Sequence, residues 1–349
     1  MDSLWDFPDF DEHELVHFVT DRGSGLKALI AVHSTHLGPG AGGTRFWHYP
    51  RSEQAIADVL RLSRGMSYKN AMAGLPLGGG KAVILADAQR TKTPEMLAAF
   101  GKAVDGLCGR YVTAEDVGVN VADMVAISKQ TRFVAGLPVE AGAVGGDPGP
   151  HTSYGVYLGI KAAVKRALGK DSLAGLHIAL QGAGSVAGGV ARRAAAEGAR
   201  ISVADIDAGR AQALADEVGG TVVATDAIMS LEADVFSPNA LGAILDEASI
   251  AALNVPIVAG GANNQLATPA DGDRVQARGI LYAPDYVINA GGIINVSTEF
   301  LGDGDQDTVR QRVEAIPGRL EAIWQESADS GRNPAQVAGG MARKLIGRA

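Results

Sequence analysis

The chain has 349 residues, and at roughly 100 to 200 residues per domain that length fits two domains, each able to bury a core, and excludes one small module. Its 46% hydrophobic and 20% charged residues are ordinary globular composition and exclude a disordered chain. With 31 Lys plus Arg against 39 Asp plus Glu, the formal charge of −8 opposes nucleic acid and anionic membrane as partners, which leaves a small molecule.

The opening stretch, MDSLWDFPDFDEHE, is acidic from its second residue and has neither a basic n-region nor an apolar h-region, so no secretion signal is expected. No later uncharged apolar run reaches about 18 residues, which argues against a membrane span. The single cysteine, Cys108, can form neither an intramolecular disulfide nor a CxxC zinc site, as suits the cytoplasm. His13-Glu14-Leu15-Val16-His17 spells HExxH, but no third ligand can be placed; the expectation is a helical turn with surface histidines and no metal.

Leu26 to His33, apolar and partly β-branched between glycine-rich turns, predicts a strand. Ser52 as N-cap, followed by Ala55, Ile56, Val59, Leu60 and Leu62 near the helical period, predicts a helix over 52–64. From Gly65 the chain reads GMSYKNAMAGLPLGGGKAVILAD, with Lys69 and Lys81 on either side of Gly78-Gly79-Gly80 and a strand predicted over 82–85. A helix follows over 93–107, and Asp116 stands in YVTAEDVGVN, residues 111–120. The Gly/Pro-rich stretch 142–150 marks a break in composition.

Beyond it, strand and helix signals alternate, the pattern of a parallel doubly wound sheet. Strands are predicted over 177–181, 200–204, 220–224, 235–236, 255–259 and 280–283, and one amphipathic helix over 308–326. After the first of these strands comes the GxGxxA of Gly182, Gly184 and Ala187, with Ser185 and Val186 inside it; Asp205 ends the next strand, 23 residues past Gly182. Glycines let a pyrophosphate approach the backbone, the helix N-terminus offers free N–H groups, and the carboxylate accepts ribose hydroxyls while repelling a 2′-phosphate. The expected cofactor is therefore NAD.

Lys81, between a triple glycine and an apolar strand, stands where burial favours the neutral amine that a general base needs; Lys69 can stay charged and hold a carboxylate. Glycine-rich loops with lysine also bind phosphate, and spacing alone leaves that alternative open, although Ala82 stands where a phosphate loop needs Ser or Thr.

LGPGAGGTR (Leu37–Arg45), GMSYKNAMAGLPLGGGKAVI (Gly65–Ile84), AEDVG (Ala114–Gly118), GANNQL (Gly261–Leu266) and APDYVINAGGIINV (Ala283–Val296) together resemble the Glu/Leu/Phe/Val dehydrogenase family, nearest its leucine dehydrogenase branch. The blocks span nearly the whole chain. The resemblance implies NAD-dependent oxidative deamination of an L-amino acid to its 2-oxo acid and ammonia, and the reverse amination. It gives Lys81 the catalytic role, Asp116 the handling of protons beside it, and Lys69 the substrate carboxylate. Gly42, Gly43, Asn264 and Asn289 complete the substrate site, while Asn263, Thr152, Ile206 and the Pro238-Asn239-Ala240-Leu241 turn join the cofactor residues; relatives commonly carry cysteine where Asn239 stands.

The implied pocket positions, Ala41, Ala114, Ile293 and Val296, are all apolar, which disfavours glutamate and suits a branched aliphatic side chain. Ala41 replaces the leucine usual in that branch and enlarges the pocket, keeping phenylalanine as the alternative substrate. A non-catalytic sensor on the same fold is the other alternative, opposed by intact Lys69, Lys81 and Asp116. The implied architecture is two-domain α/β: residues 1–135 with 326–349 for substrate and oligomerisation, and 136–325 as a Rossmann domain for NAD, with a cleft between them and a symmetric homo-oligomer as the assembly.

Overall fold

A computed structural model of the chain describes residues 3–139, 143–240 and 242–348. It divides into two compact units, Met1–Gly146 with Asn295–Val309 and Ala342–Ala349, and Asp147–Ile294 with Arg310–Met341. The division differs from the expected one at both ends. Past residue 135 the backbone is still tied to the first unit, because Gly136 and Leu137 donate their N–H groups to the Glu299 carboxylate at 3.0 and 3.1 Å. Gly145 exchanges two hydrogen bonds with the Asn295 side chain, so the break falls after Gly146, inside the Gly/Pro-rich stretch. Residues 326–341, expected in the first domain, pack with the second unit, where Asn333 bonds Asp273.

In chain order the first unit contributes strands β1 (Leu15–Asp21), β2 (Leu26–Ser34) and β3 (Gly40–Trp47), helix α1 (Ser52–Met72), β4 (Gly78–Leu85), α2 (Pro94–Asp105), β5 (Tyr111–Glu115) and α3 (Val121–Ser128). The sheet runs β1-β2-β4-β3-β5, antiparallel as far as β4 and parallel from β4 to β5. Period-two alternation splits its apolar side chains between two cores. Ile30, Ile84 and Tyr111 pack against Phe100, Val104, Met124 and Ile127 of α2 and α3. On the other face Leu29, Ala31 and Val83 meet Ala55, Val59 and Leu60 of α1.

Three expectations are corrected here. The helix predicted over 52–64 runs on to Met72, because small buried residues, Ser63, Ser67, Asn70 and Ala71, extend its packed face; its N-cap is Arg51, whose N–H reaches Gln54 Oε1 at 3.3 Å, not Ser52. The strand expected over 82–85 begins earlier, so that the glycine run is the first part of β4. An ideal Cβ on Gly79 would stand 2.1 Å from Ser67 N, and one on Gly80 2.6 Å from Tyr111 Cδ2, so missing side chains let α1 and Tyr111 lie directly on the strand. HExxH forms no helical face, since Leu15–Asp21 is strand β1. Its first histidine, expected at the surface, is buried with Nε2 at 3.0 Å from Leu60 O and 3.1 Å from Ser63 Oγ.

The unit is closed by residues far apart in sequence. Arg348 donates from Nη1 to Asp11 O at 2.6 Å and His33 Nε2 at 2.8 Å, and from Nη2 to Glu12 O and His33 O. His33 Nε2 thus lies between the Arg348 guanidinium and Asp11 Oδ2, the latter at 3.3 Å, and Nδ1 lies 2.8 Å from Ser67 Oγ.

The second unit opens with α4 (Gly149–Leu168), then β6 (His177–Gln181), α5 (Ser185–Ala196), β7 (Arg200–Ala204), α6 (Ala208–Val218), β8 (Thr221–Val222), β9 (Val235–Pro238), α7 (Glu247–Ala252), β10 (Ile257–Val258), α8 (Pro269–Ala277) and β11 (Leu281–Tyr282). Short α9 (Asp285–Ile288) leads to α10 (Gly291–Leu301), α11 (Gln306–Glu314), α12 (Ile316–Ser330) and α13 (Pro334–Leu345). The single helix expected over 308–326 is thus two, broken at Ala315 with a proline in the first turn of α12, where its missing N–H costs no helical bond.

All strands of this sheet are parallel, in the order β11-β10-β9-β6-β7-β8. The order reverses between β6 and β9, the switch point at which doubly wound folds bind nucleotides beyond the carboxyl ends of their strands. Phe236, Leu245, Val258 and Tyr282 fill the core on one side. Among the described residues no helix is long and apolar enough to cross a membrane.

Candidate active site

In the first unit, β4 and the turn after β5 bring two of the expected residues into direct contact: Lys81 Nζ lies 2.9 Å from Asp116 Oδ2. Lys81 is 6% exposed, and Asp116 is fixed at its backbone by the N–H of Val119 bonding its carbonyl at 2.9 Å. Burial works against ionisation of Asp116, but the Lys81 ammonium and the Arg45 guanidinium overcome it and hold the carboxyl down at about 2. Arg45 gives Nε to Asp116 Oδ2 at 3.2 Å and Nη1 to Asp58 Oδ2 at 2.9 Å. Sequence reading passed over Arg45, although it closes the LGPGAGGTR block; an arginine just after a glycine pair was the available signal.

The glycines expected beside the substrate surround this pair. A Cβ on Gly43 would fall 2.9 Å from Asp116 Cβ, and one on Gly42 2.0 Å from Gly80 O, so both are sterically required; Tyr111 OH donates to Gly42 O at 2.7 Å. Ala114 pairs with Gly43, and Ala41 with Gly79 and Val112; both alanines are buried, as is Val296 on α10. Lys69 is half-buried on the last turn of α1, one residue before Asn70, whose Nδ2 anchors that helix to Gly78 O at 2.6 Å.

The second unit gathers the remaining residues near the carboxyl ends of its strands. Gly182 follows β6 with φ +96°, a conformation that favours glycine, and a Cβ there would meet Ala240 at 3.2 Å. Gly184 caps α5 without any side-chain bond, and a Cβ on it would meet nothing within 4 Å. Ser185 is exposed, Val186 half-buried and Ala187 buried in the first turn of that helix. Asp205, after β7, accepts Ala183 N at 2.7 Å on Oδ2 and Asp207 N at 2.8 Å on Oδ1, while Ile206 beside it is 95% exposed.

Asn239 follows β9, accepting Gly261 N at 2.9 Å. Asn289 is buried and donates Nδ2 to Gly261 O at 3.1 Å and to Asn263 Oδ1 at 2.8 Å, which leaves its Oδ1 buried without a partner. Thr152, on α4, gives its hydroxyl to Pro148 O, and a Cβ on Gly292 would strike it at 2.6 Å. Ile293 is half-buried, and Asn264 is exposed with φ +52°. Leu241 lies outside the described residues.

These residues fit a dinucleotide. The uncapped N-terminus of α5 offers N–H groups over open space, where a side chain on Gly184 would intrude, and the orphaned Asn289 Oδ1 lacks a donor. A sheet of this order, with such a turn after its first strand and a carboxylate after its second, belongs to an NAD(P)-dependent dehydrogenase.

Residues 13–133 match the family model described as Glu/Leu/Phe/Val dehydrogenase, dimerisation domain, and residues 207–343 the model described as Glutamate/Leucine/Phenylalanine/Valine dehydrogenase. The chain is 46% identical over 329 residues to a leucine dehydrogenase of Bacillus subtilis (strain 168), covering 94% of this chain and 90% of the relative. It is 43% identical over 340 residues to a valine dehydrogenase of Streptomyces albus, covering 97% and 93%. The crystal structure of L-tryptophan dehydrogenase from Nostoc punctiforme aligns with TM-score 0.84 at 40% identity over 96% of each chain. The chain belongs to the Glu/Leu/Phe/Val dehydrogenase family and is an amino-acid dehydrogenase acting on CH–NH2.

Proposed function

We propose that the protein oxidatively deaminates branched-chain aliphatic L-amino acids, leucine, valine and isoleucine, to 2-oxo acids and ammonia with NAD, and catalyses the reverse amination. The observation that carries this reading is the buried Lys81–Asp116 pair set among Gly42, Gly43, Ala41 and Ala114, an apolar, cramped surface with one acid–base couple. A bound NAD supplies the hydride acceptor. Lys69 holds the substrate carboxylate, and Lys81, once it has shed its proton, takes one from the water that attacks the oxidised Cα. Asp116 exchanges protons with the departing amine, so that acid and base work side by side. Asp205, held in place by its two backbone donors, accepts ribose hydroxyls and repels a 2′-phosphate, which favours NAD over NADP. Gly182, Gly184, Ser185, Val186, Ala187, Ile206, Thr152, Asn239, Ala240 and Asn263 line the cofactor, and Asn264, Asn289, Ile293 and Val296 the substrate.

A second reading, an aromatic L-amino acid, is favoured by one observation: a 40% identical relative of known structure is named for tryptophan. The match to the family's dimerisation domain supports a homo-oligomer, and one exposed cysteine without a disulfide suits a cytoplasmic site. The deciding experiment measures NADH and NADPH formation at alkaline pH with L-leucine, L-valine, L-isoleucine, L-phenylalanine, L-tryptophan and L-glutamate. Turnover of the aliphatic set with NAD upholds the proposal; preference for the aromatic acids transfers it to the second reading, and no turnover of any substrate refutes both.

A further inference from the structure

We propose that Arg45 is a positioning residue for the Lys81–Asp116 pair, a bridge from β3 that ties the reacting carboxylate to Asp58 on α1 and fixes which oxygen Lys81 meets. The inference rests on the functional reading above. Asp116 Oδ2 receives both Lys81 Nζ at 2.9 Å and Arg45 Nε at 3.2 Å, so the same oxygen is held from two strands. At its far edge the guanidinium gives Nη1 to Asp58 Oδ2 at 2.9 Å, and Tyr49 OH donates to that same oxygen. Charges therefore alternate along the row Asp58, Arg45, Asp116, Lys81. Two carboxylates share one guanidinium, so Arg45 orients Asp116 without withdrawing it from Lys81.

The backbone does part of this task and leaves the rest to side chains. Gly118 at φ +80° seats the turn after β5 against Phe46 O, where a Cβ would come within 2.2 Å, and the Val119 N–H closes the turn. The main chain of Asp116 is thus fixed and the Val117 N–H reaches its carboxylate, while Lys81 and Arg45 are the side chains that hold Oδ2. Arg45 and Asp58 each keep 24% of their side chains exposed and line an open cavity of about 600 Å³, so replacing either does not empty the core. The groups facing Asp116 are Lys81 from β4, Arg45 from β3 and Tyr111 from β5, with Asp58 and Tyr49 behind Arg45.

The test compares Arg45→Gln, Arg45→Lys and Asp58→Asn by two readouts. One is kcat and amino-acid KM against pH; the other, independent of activity, is the carboxyl ¹³C titration of Asp116 in the ligand-free protein, assigned by its loss in Asp116→Asn. Arg45→Gln is expected to lower kcat about 10- to 100-fold with KM within about twofold, since a misplaced group costs rate more than binding. It should also raise the Asp116 midpoint by about one unit. Arg45→Lys keeps the charge but not the two-edged grip, so the midpoint returns and kcat recovers in part. Unchanged kcat and midpoint in Arg45→Gln, or no recovery of either in Arg45→Lys, would overturn the proposal. If Arg45→Gln fails to fold, Asp58→Asn decides: a lower kcat with no upward shift of the midpoint supports the bridge, and wild-type kcat sinks it. Wild-type protein inert toward every amino acid would refute the functional reading, while the carboxyl titration still judges Arg45.

Discussion

Glycine serves opposite purposes in the two units. On β4 of the first, Gly78, Gly79 and Gly80 face protein atoms so close that a Cβ would stand 1.9 to 2.6 Å from its nearest neighbour. At the mouth of α5 in the second, Gly184 faces nothing within 4 Å. One set is small so that the chain can pack on itself; the other keeps backbone N–H groups open to a ligand. Both look alike in sequence, as glycines next to a strand, and only the neighbours of each distinguish packing from recognition.

Substitutions sharpen that contrast. The largest effect is expected at the residue the packed glycines introduce: Lys81→Ala should cut turnover by about 10³-fold or more, while NADH fluorescence titration shows binding unchanged. Next comes Gly79→Ala, which drives a methyl into Ser67 N and should cost about 3 kcal/mol or more in urea unfolding, or prevent folding altogether. Its counterpart Gly184→Ala should leave the unfolding midpoint within about 0.5 kcal/mol of wild type and weaken NADH binding about tenfold. Equal stability losses at the two glycines would erase the distinction.

Asp205→Ser keeps a hydrogen-bonding group and removes the charge, so the ratio of NADP to NAD efficiency should rise about tenfold; an unchanged ratio would remove Asp205 from cofactor choice. The smallest effect concerns pH. Burial, with the charges of Arg348 and His13, pushes His33 down to about 3 from an ordinary 6.5. The unfolded chain therefore takes up the proton that the folded one refuses, so this contribution to stability is whole above 6.5 and is lost as the pH falls towards 3. His33→Asn should lose less stability than wild type between neutral pH and about 5, measured by urea midpoints.

Where one periodicity governed, the sequence was readable. The strands His177–Gln181 and Arg200–Ala204 and the start of α5 stand where the alternation and the GxGxxA spacing put them, because local propensity and the doubly wound fold agree there. Legibility failed where tertiary neighbours decide. The three glycines before Lys81 fall outside the strand expected over 82–85 because their partners, Ser34, Ser67 and Tyr111, come from three other elements. HExxH read as a helical turn because four-residue spacing is ambiguous until β1 pairs with β2. The contact of Lys81 with Asp116 followed from resemblance, but the grip of Arg45 on that carboxylate required coordinates, since 71 residues separate the two.

The first unit is also the last to be finished. Its hydrogen bonds to Asp11, Glu12 and His33 wait for Arg348, and those of Gly136, Leu137 and Gly145 wait for Asn295 and Glu299. During synthesis, then, β4 and β5 can pair with their neighbours once about 135 residues have emerged, but the carbonyls of Asp11, Glu12 and His33 stay without their guanidinium partner until residue 348 follows, a period of exposure for this edge of the enzyme.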